Sequence, residues 1–171
     1  MQVVKKLIGY TLLIWFAVIL FMPKENLYYQ LERVVEQEGI EINEASIKSG
    51  VFTLSVRSPE VYYEGVAVAS AEALDATVFL LYDRVIITGI ALDRTIASMV
   101  PLTVDKVELV YSILTPQKVT LKGEGSFGRC HGEIDLKERR VHISMDDPEK
   151  IGSIKSLLKK GEEGWYYETS F

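Results

Sequence analysis

The chain has 171 residues, 48% of them hydrophobic, 25% charged and 10% aromatic, too apolar for a disordered chain and too mixed for a many-times-spanning membrane protein. Its 24 acidic residues outnumber 19 basic ones, for a net charge of −5, which excludes a nucleic-acid binder that works through a basic face. Cys130 is the only cysteine, so an internal disulfide framework and a multi-cysteine metal site are excluded too.

The first predicted element is a membrane anchor. Leu7 to Met22 reads LIGYTLLIWFAVILFM without a charge, and Lys5 and Lys6 precede it. At about 1.5 Å per helical residue the run reaches roughly 24 Å, and the lysines can snorkel to make up a ~30 Å bilayer core. A cleavable signal peptide would need small residues before its cut, whereas this run ends Leu20-Phe21-Met22-Pro23. Residues 1–22 are therefore expected to remain as a cytoplasmic start and transmembrane anchor. Positive charge before the span places residues 23–171 outside the cytoplasm, which is the periplasm in a cell with two membranes. The localisation that follows is the inner membrane, single-pass, with the C-terminal domain in the periplasm.

Residues 23–39 are expected to form a juxtamembrane amphipathic helix. Pro23 suits a first turn, Leu27, Leu31, Val34 and Val35 recur at helical spacing, and Gly39 stops it. After Gly39 the period falls from 3.6 to 2. Alternating runs lie at Ile40–Ile42, Val51–Val56, Val66–Val68, Val78–Tyr82, Val85–Ile87, Val107–Tyr111, Val119–Leu121, Ile134–Leu136 and Val141–Met145. Asp93 to Val100 reads as a short helical turn. Asp147-Pro148-Glu149 opens a second amphipathic helix, 148–160, whose apolar face is Ile151, Ile154, Leu157 and Leu158. Trp165 to Phe171 then alternates as a last strand, with Trp165, Tyr167, Thr169 and Phe171 on one face. The fold class is mainly β (α+β): a transmembrane helix, then residues 40–171 as a curved antiparallel sheet with an amphipathic helix at each end.

Residues with chemical potential are few. Gly123-Glu124-Gly125-Ser126-Phe127-Gly128 matches the G-x-G-x-x-G spelling, but a dinucleotide site needs a following helix, and Arg129 to Leu136 continues as strand. A glycine-lined turn or a set of bulges in a bent hairpin is expected instead. Cys130 and His131 are neighbours and so face opposite sides of a strand, which separates nucleophile from base. His131 and His142 with Glu133 could meet a metal only across strands, and no further ligands accompany them. Asp146-Asp147 reads as helix capping; Arg139-Arg140 and Lys159-Lys160 read as solvated basic runs that could also meet lipid headgroups. No catalytic, cofactor-binding or metal residues are assigned, and no enzyme activity or cofactor is expected.

Leu31-Glu32-Arg33 through Gly39-Ile40, Val104 to Ile113 with Thr115-Pro116-Gln117-Lys118-Val119, and Gly123 to Gly128 with Gly132-Glu133-Ile134-Asp135-Leu136 together resemble the protein N family of the bacterial type II secretion pathway. The likeness covers most of residues 1–145 in a chain shorter than typical members. It implies a curved glycine-punctuated sheet outside the inner membrane, as also in AsmA-like proteins. It also implies a non-enzymatic part in assembling an envelope secretion machine, with that machine's proteins as partners. The alternative is a lipid-binding or lipid-transfer module of the AsmA-like or lipopolysaccharide-transport type, with lipid as partner. A lipid carrier needs an open apolar interior, which alternating strands alone do not distinguish from a packed core.

Overall fold

The computed structural model describes residues 2–21, 24–79, 81–97, 102–162 and 164–171. Helix α1 covers Gln2–Phe21, and Leu7, Ile8, Leu12, Leu13, Ile14, Phe16 and Val18 all lie more than half exposed along it. No element packs extensively against it. Among the described residues no helix is long and apolar enough to cross a membrane; the side chains of Ile19 to Met22, which complete the predicted anchor, and Pro23 lie outside them.

Helix α2, Lys24–Glu36, does pack on the sheet, but Leu31 and Val34 of the stripe its periodicity suggests face away from it. Leu31 and Val34 are 58% and 60% exposed, while Tyr28 is buried. Tyr28 is held by its ring packing and by a hydroxyl that donates to Glu44 at 3.3 Å, so the helix turns Tyr28 inward and leaves Tyr29, Leu31 and Val34 outside.

The rest of the chain is a single antiparallel sheet of thirteen strands. They are β1 Ile40–Asn43, β2 Ser46–Ser49, β3 Thr53–Arg57, β4 Glu60–Tyr63, β5 Val66–Ser70, β6 Ala73–Val78, β7 Tyr82–Leu92, β8 Thr103–Ser112, β9 Lys118–Gly125, β10 Gly128–Asp135, β11 Arg140–Met145, β12 Lys159–Gly161 and β13 Gly164–Ser170. A short helix α3, Arg94–Ala97, sits within the predicted turn after Asp93; Ser98 to Pro101 lie outside the described residues.

The topology is a meander with a crease. β1–β2, β3–β4 and β5–β6 are three long strands, each bent once: β2 pairs β3 while β1 pairs β4, and β3 pairs β6 while β4 pairs β5. β7 takes both halves of the third, β6 along Asp83–Thr88 and β5 at Ala91–Leu92. The bends are stitched side by side, by Ala45 N–H to Arg57 O, Ser58 N–H to Glu72 O and Glu72 N–H to Thr88 O, each 3.0 Å. Gly89 closes the line at φ 62°, where a Cβ would stand 2.4 Å from the Glu72 side chain, so glycine is what lets β7 turn there. A register shift between Val104 and Lys106 carries the crease into β8.

Beyond the crease the register sorts the side chains onto two faces, because directly paired residues point the same way. Leu54↔Ala76, Ala76↔Val85, Val85↔Leu109, Leu109↔Leu121 and Ile134↔Val141 line one face; Ser55↔Asp75, Glu108↔Lys122, His131↔Lys122 and Glu133↔His142 line the other. The apolar face is covered twice. At one end α2 seats Tyr28 on Leu54, Val56 and Ala76; at the other Ile151 and Ile154 seat on Phe127 and Cys130, with Trp165 and Met145 alongside.

Several predicted elements differ. The helix expected over 148–160 is two 3-10 turns, Ile151–Ser153 and Lys155–Leu157, followed by the edge strand β12. Asp147 caps no helix: its carboxylate accepts the Arg129 amide at 3.0 Å, and the first 3-10 turn starts at Lys150 without a side-chain cap. Ile151 and Ile154, three apart, are the buried pair, which is the period of a 3-10 turn, and Leu157 is left 56% exposed. Of the run Val78–Tyr82, expected as one strand, Val78 ends β6 and Tyr82 begins β7, with Phe79 and Leu81 between them and Leu80 outside the described residues. The last strand forms as β13 between β11 and β12, but Phe171 lies beyond it and is 64% exposed.

Candidate functional site

The candidate site is the part of the apolar face that neither cover reaches. Ile87, Val107, Leu109, Tyr111, Val119 and Ile134 follow one another across β7, β8, β9 and β10, all half-buried and members of neither buried cluster. A central stretch of sheet in a domain of this size would ordinarily be fully packed. Here it forms an aliphatic strip between two covered ends.

The opposite face is a lattice of charge pairs. Arg84 Nε stands 2.7 Å from Glu108 Oε1, and that contact lowers the Glu108 pKa. Lys118 Nζ bonds both Glu133 oxygens at 2.8 and 2.9 Å, which raises the lysine. Such exposed pairs align neighbouring strands but add little stability singly. Near the rim, the Asp135 carboxylate accepts the Glu138 and Lys137 amides at 2.8 and 2.9 Å, which lowers its pKa and shapes the β10–β11 turn.

The G-x-G-x-x-G stretch is the β9–β10 hairpin, with Ser126-Phe127 as its two-residue turn and Gly125 paired to Gly128. At Gly125 a Cβ would lie 2.2 Å from the Thr103 carbonyl oxygen, so the glycine permits close strand approach rather than phosphate contact. Cys130 and His131 do part to opposite faces. Cys130 is buried, its thiol pushed up by that burial and then by Asp146, while His131 is exposed with Nδ1 2.7 Å from Asp146 Oδ1.

His142 and Glu133 are direct cross-strand partners, yet each turns to a different neighbour: Glu133 to Lys118, His142 to Glu168 at 3.5 Å. Among the described residues no three histidine, cysteine or acidic groups converge as metal ligands. Arg140 pairs with Glu138 at 2.9 Å and Lys159 approaches Glu168 at 3.9 Å.

One arrangement was hidden from the sequence. Ser144 Oγ lies 3.4 Å from His142 Nε2, whose other nitrogen faces Glu168, a serine–histidine–acid order beside a cleft of about 320 Å³. Its signal, His-x-Ser, is two residues long, and Glu168 arrives only through the β11–β13 register. The imidazole lies flat on Tyr166, ring centroids 5.0 Å apart. The serine's strand is hydrogen-bonded on both sides, so its amides are spent in the ladders rather than aimed at an oxyanion. The cluster is polar surface that can hold hydrogen-bonding groups. Comparison of the chain with protein-family models, with curated proteins and with solved structures finds no match.

Proposed function

We propose that the chain is a non-enzymatic, membrane-anchored envelope protein that works by binding along its sheet, in the manner of a type II secretion assembly component. The observation that carries this reading is a one-faced sheet whose apolar side, among the described residues, is covered only at its two ends, preceded by a helix that carries no charge from Leu7 onward. Aliphatic strips left open in this way mark contact surfaces. The outward Leu31 and Val34 of α2 add a second apolar stripe beside the anchor, suited to a neighbouring helix. Lys5 and Lys6 in the first turns of α1, ahead of its uncharged run, support a periplasmic domain held at the inner membrane.

Deleting the gene in its own host and assaying the culture medium tests the secretion role. Loss of exported enzymes from the medium, restored by the full chain and not by Leu109→Asp, supports it; unchanged export overturns it. The half-exposed centre also favours a second reading, an acyl-chain site. That reading expects phospholipid or lipopolysaccharide to copurify stoichiometrically with the full chain and to be lost in the same variant.

A further inference from the structure

Among the described residues, one end of the sheet carries the larger group of exposed apolar side chains. The tips of four successive hairpins and the C-terminus lie along it: Gly50–Phe52, the β6–β7 connection, 113–117, 136–139 and Phe171. Backbone hydrogen bonds join each to the next, Val78 N–H to Phe52 O, Ile113 N–H to Leu81 O, Leu136 N–H to Gln117 O and Phe171 N–H to Arg139 O, at 2.8 to 3.1 Å. The result is a continuous rim. From β3 to β13 it crosses eight strands, roughly 34 Å at ~4.8 Å per strand.

Hairpin tips normally carry polar turn residues. Here Leu114, at 88%, has the highest exposure of any large apolar residue described, and Phe79, Leu81, Ile113, Leu136 and Phe171 stand exposed with it. Phe52 and Phe79 stack at 4.5 Å, tying two tips into one aromatic block. The last turn reads Leu136-Lys137-Glu138-Arg139, two basic residues and one acidic after the exposed leucine. The opposite end is built of Glu64-Gly65, Ser126 and Asp146-Asp147-Pro148, and its Phe127 turns into the core, though Tyr63 and Val66 are exposed there.

The end of α1 lies near this rim. Ser49, the last residue of β2, donates its hydroxyl to Glu25 in the first turn of α2. Phe21, the end of α1, is four residues from Glu25 and so within about 14 Å of it. The apolar helix therefore leaves the domain at the apolar end. We infer that the rim is a membrane-contact edge: its leucine and aromatic tips enter the headgroup region of the bilayer that holds α1, and the sheet stands with its strand ends on that surface. Exposed leucine and aromatic tips fit a lipid interface, and Lys137 and Arg139 in the last turn can reach its headgroups. The inference rests on the anchor in the proposed function for its choice of occupant, and the geometry adds a consequence. The open strip on β7–β10 then starts at the membrane surface.

The test uses the full chain reconstituted in vesicles of phosphatidylethanolamine and phosphatidylglycerol that carry a doxyl-labelled lipid. An environment-sensitive fluorophore is placed in turn on Leu114→Cys, on Ser126→Cys at the far end of the same hairpin strand, and on Leu12→Cys within α1. The parent chain, with Cys130 buried, is the blank. Quenching of the labels at 114 and 12, with loss of emission absent at 126, is the expected result. Quenching at 12 without 114 overturns the rim and leaves the anchor standing. Quenching at 114 without 12 keeps the rim and removes the anchor. Equal quenching at 114 and 126, or none anywhere, overturns the inference.

Discussion

The covered ends of the apolar face and its open centre are built from the same residues and behave as different materials. Under α2, Val56 is fully buried, and under the 3-10 turns Cys130 is 8% exposed, yet Leu109, on the same face between them, is half-buried. Strand identity does not make the difference, since valine, isoleucine and leucine line all three zones. What differs is whether a second layer lies above them, because a sheet face becomes core only when another element removes its water. Stability should therefore be concentrated at the ends, leaving the centre free to bind.

The largest expected effects come from the covers. Tyr28→Ala removes a buried aromatic and should cost about 3–5 kcal/mol, and Ile151→Ala about 2–5 kcal/mol, read as loss of stability in denaturant melts. Gly125→Ala should weaken the second cover as well, by forcing the Thr103 carbonyl or the Phe127 ring aside. An unaltered melt for that variant would mean the hairpin has slack that its close contacts deny. At the centre, Leu109→Asn should change stability by no more than about 1 kcal/mol while reducing capture of whatever the strip binds. A collapse comparable to Ile151→Ala would erase the contrast.

Acid should sharpen it. Burial, Glu44 and Glu36 raise the Glu32 pKa beneath α2, so the ionised group costs stability above its ordinary value and that cost fades on acidification. Glu108 and Asp135 are lowered, by Arg84 and by the Glu138 and Lys137 amides; their contribution is full above the ordinary carboxylate pKa and is lost as pH falls through the lowered values, below about 4. Melting temperature should hold or rise slightly from pH 7 to 5 and fall only below about 4. Glu32→Gln should flatten the upper part of that profile. The smallest effect is expected at the C-terminus. Deleting Phe171 alone should leave the melt within about 0.5 kcal/mol, whereas truncation after Gly164 removes Trp165 and the strand between β11 and β12.

Those outcomes track what could be read from the residues beforehand. The later strands announce themselves, since Val107 to Tyr111 and Val141 to Met145 alternate and really do lie half in and half out. β2, β4 and β6 do not: Ser46–Ser49 is nearly all polar, Glu60–Tyr63 sits between a proline and a glycine, and Asp75 interrupts Ala73–Val78. Their strand state comes from pairing along the crease, which is non-local. The 148–160 helix failed because Gly152 and the 3-residue spacing of Ile151 and Ile154 favour tight turns, and because Asp147 is engaged by Arg129. The Ser144–His142–Glu168 row, the open strip and the apolar rim all depend on register, which no local pattern carries.

We propose that the strip on β7–β10 is a binding surface and not loosely packed core. A photo-crosslinking amino acid at Leu109 in the full chain, activated in living cells, tests it directly, with Lys122 on the opposite face as reference. The account predicts a defined adduct at Leu109, to a secretion-machine protein or to lipid, and none at Lys122. Crosslinks confined to the chain itself at both positions would contradict it.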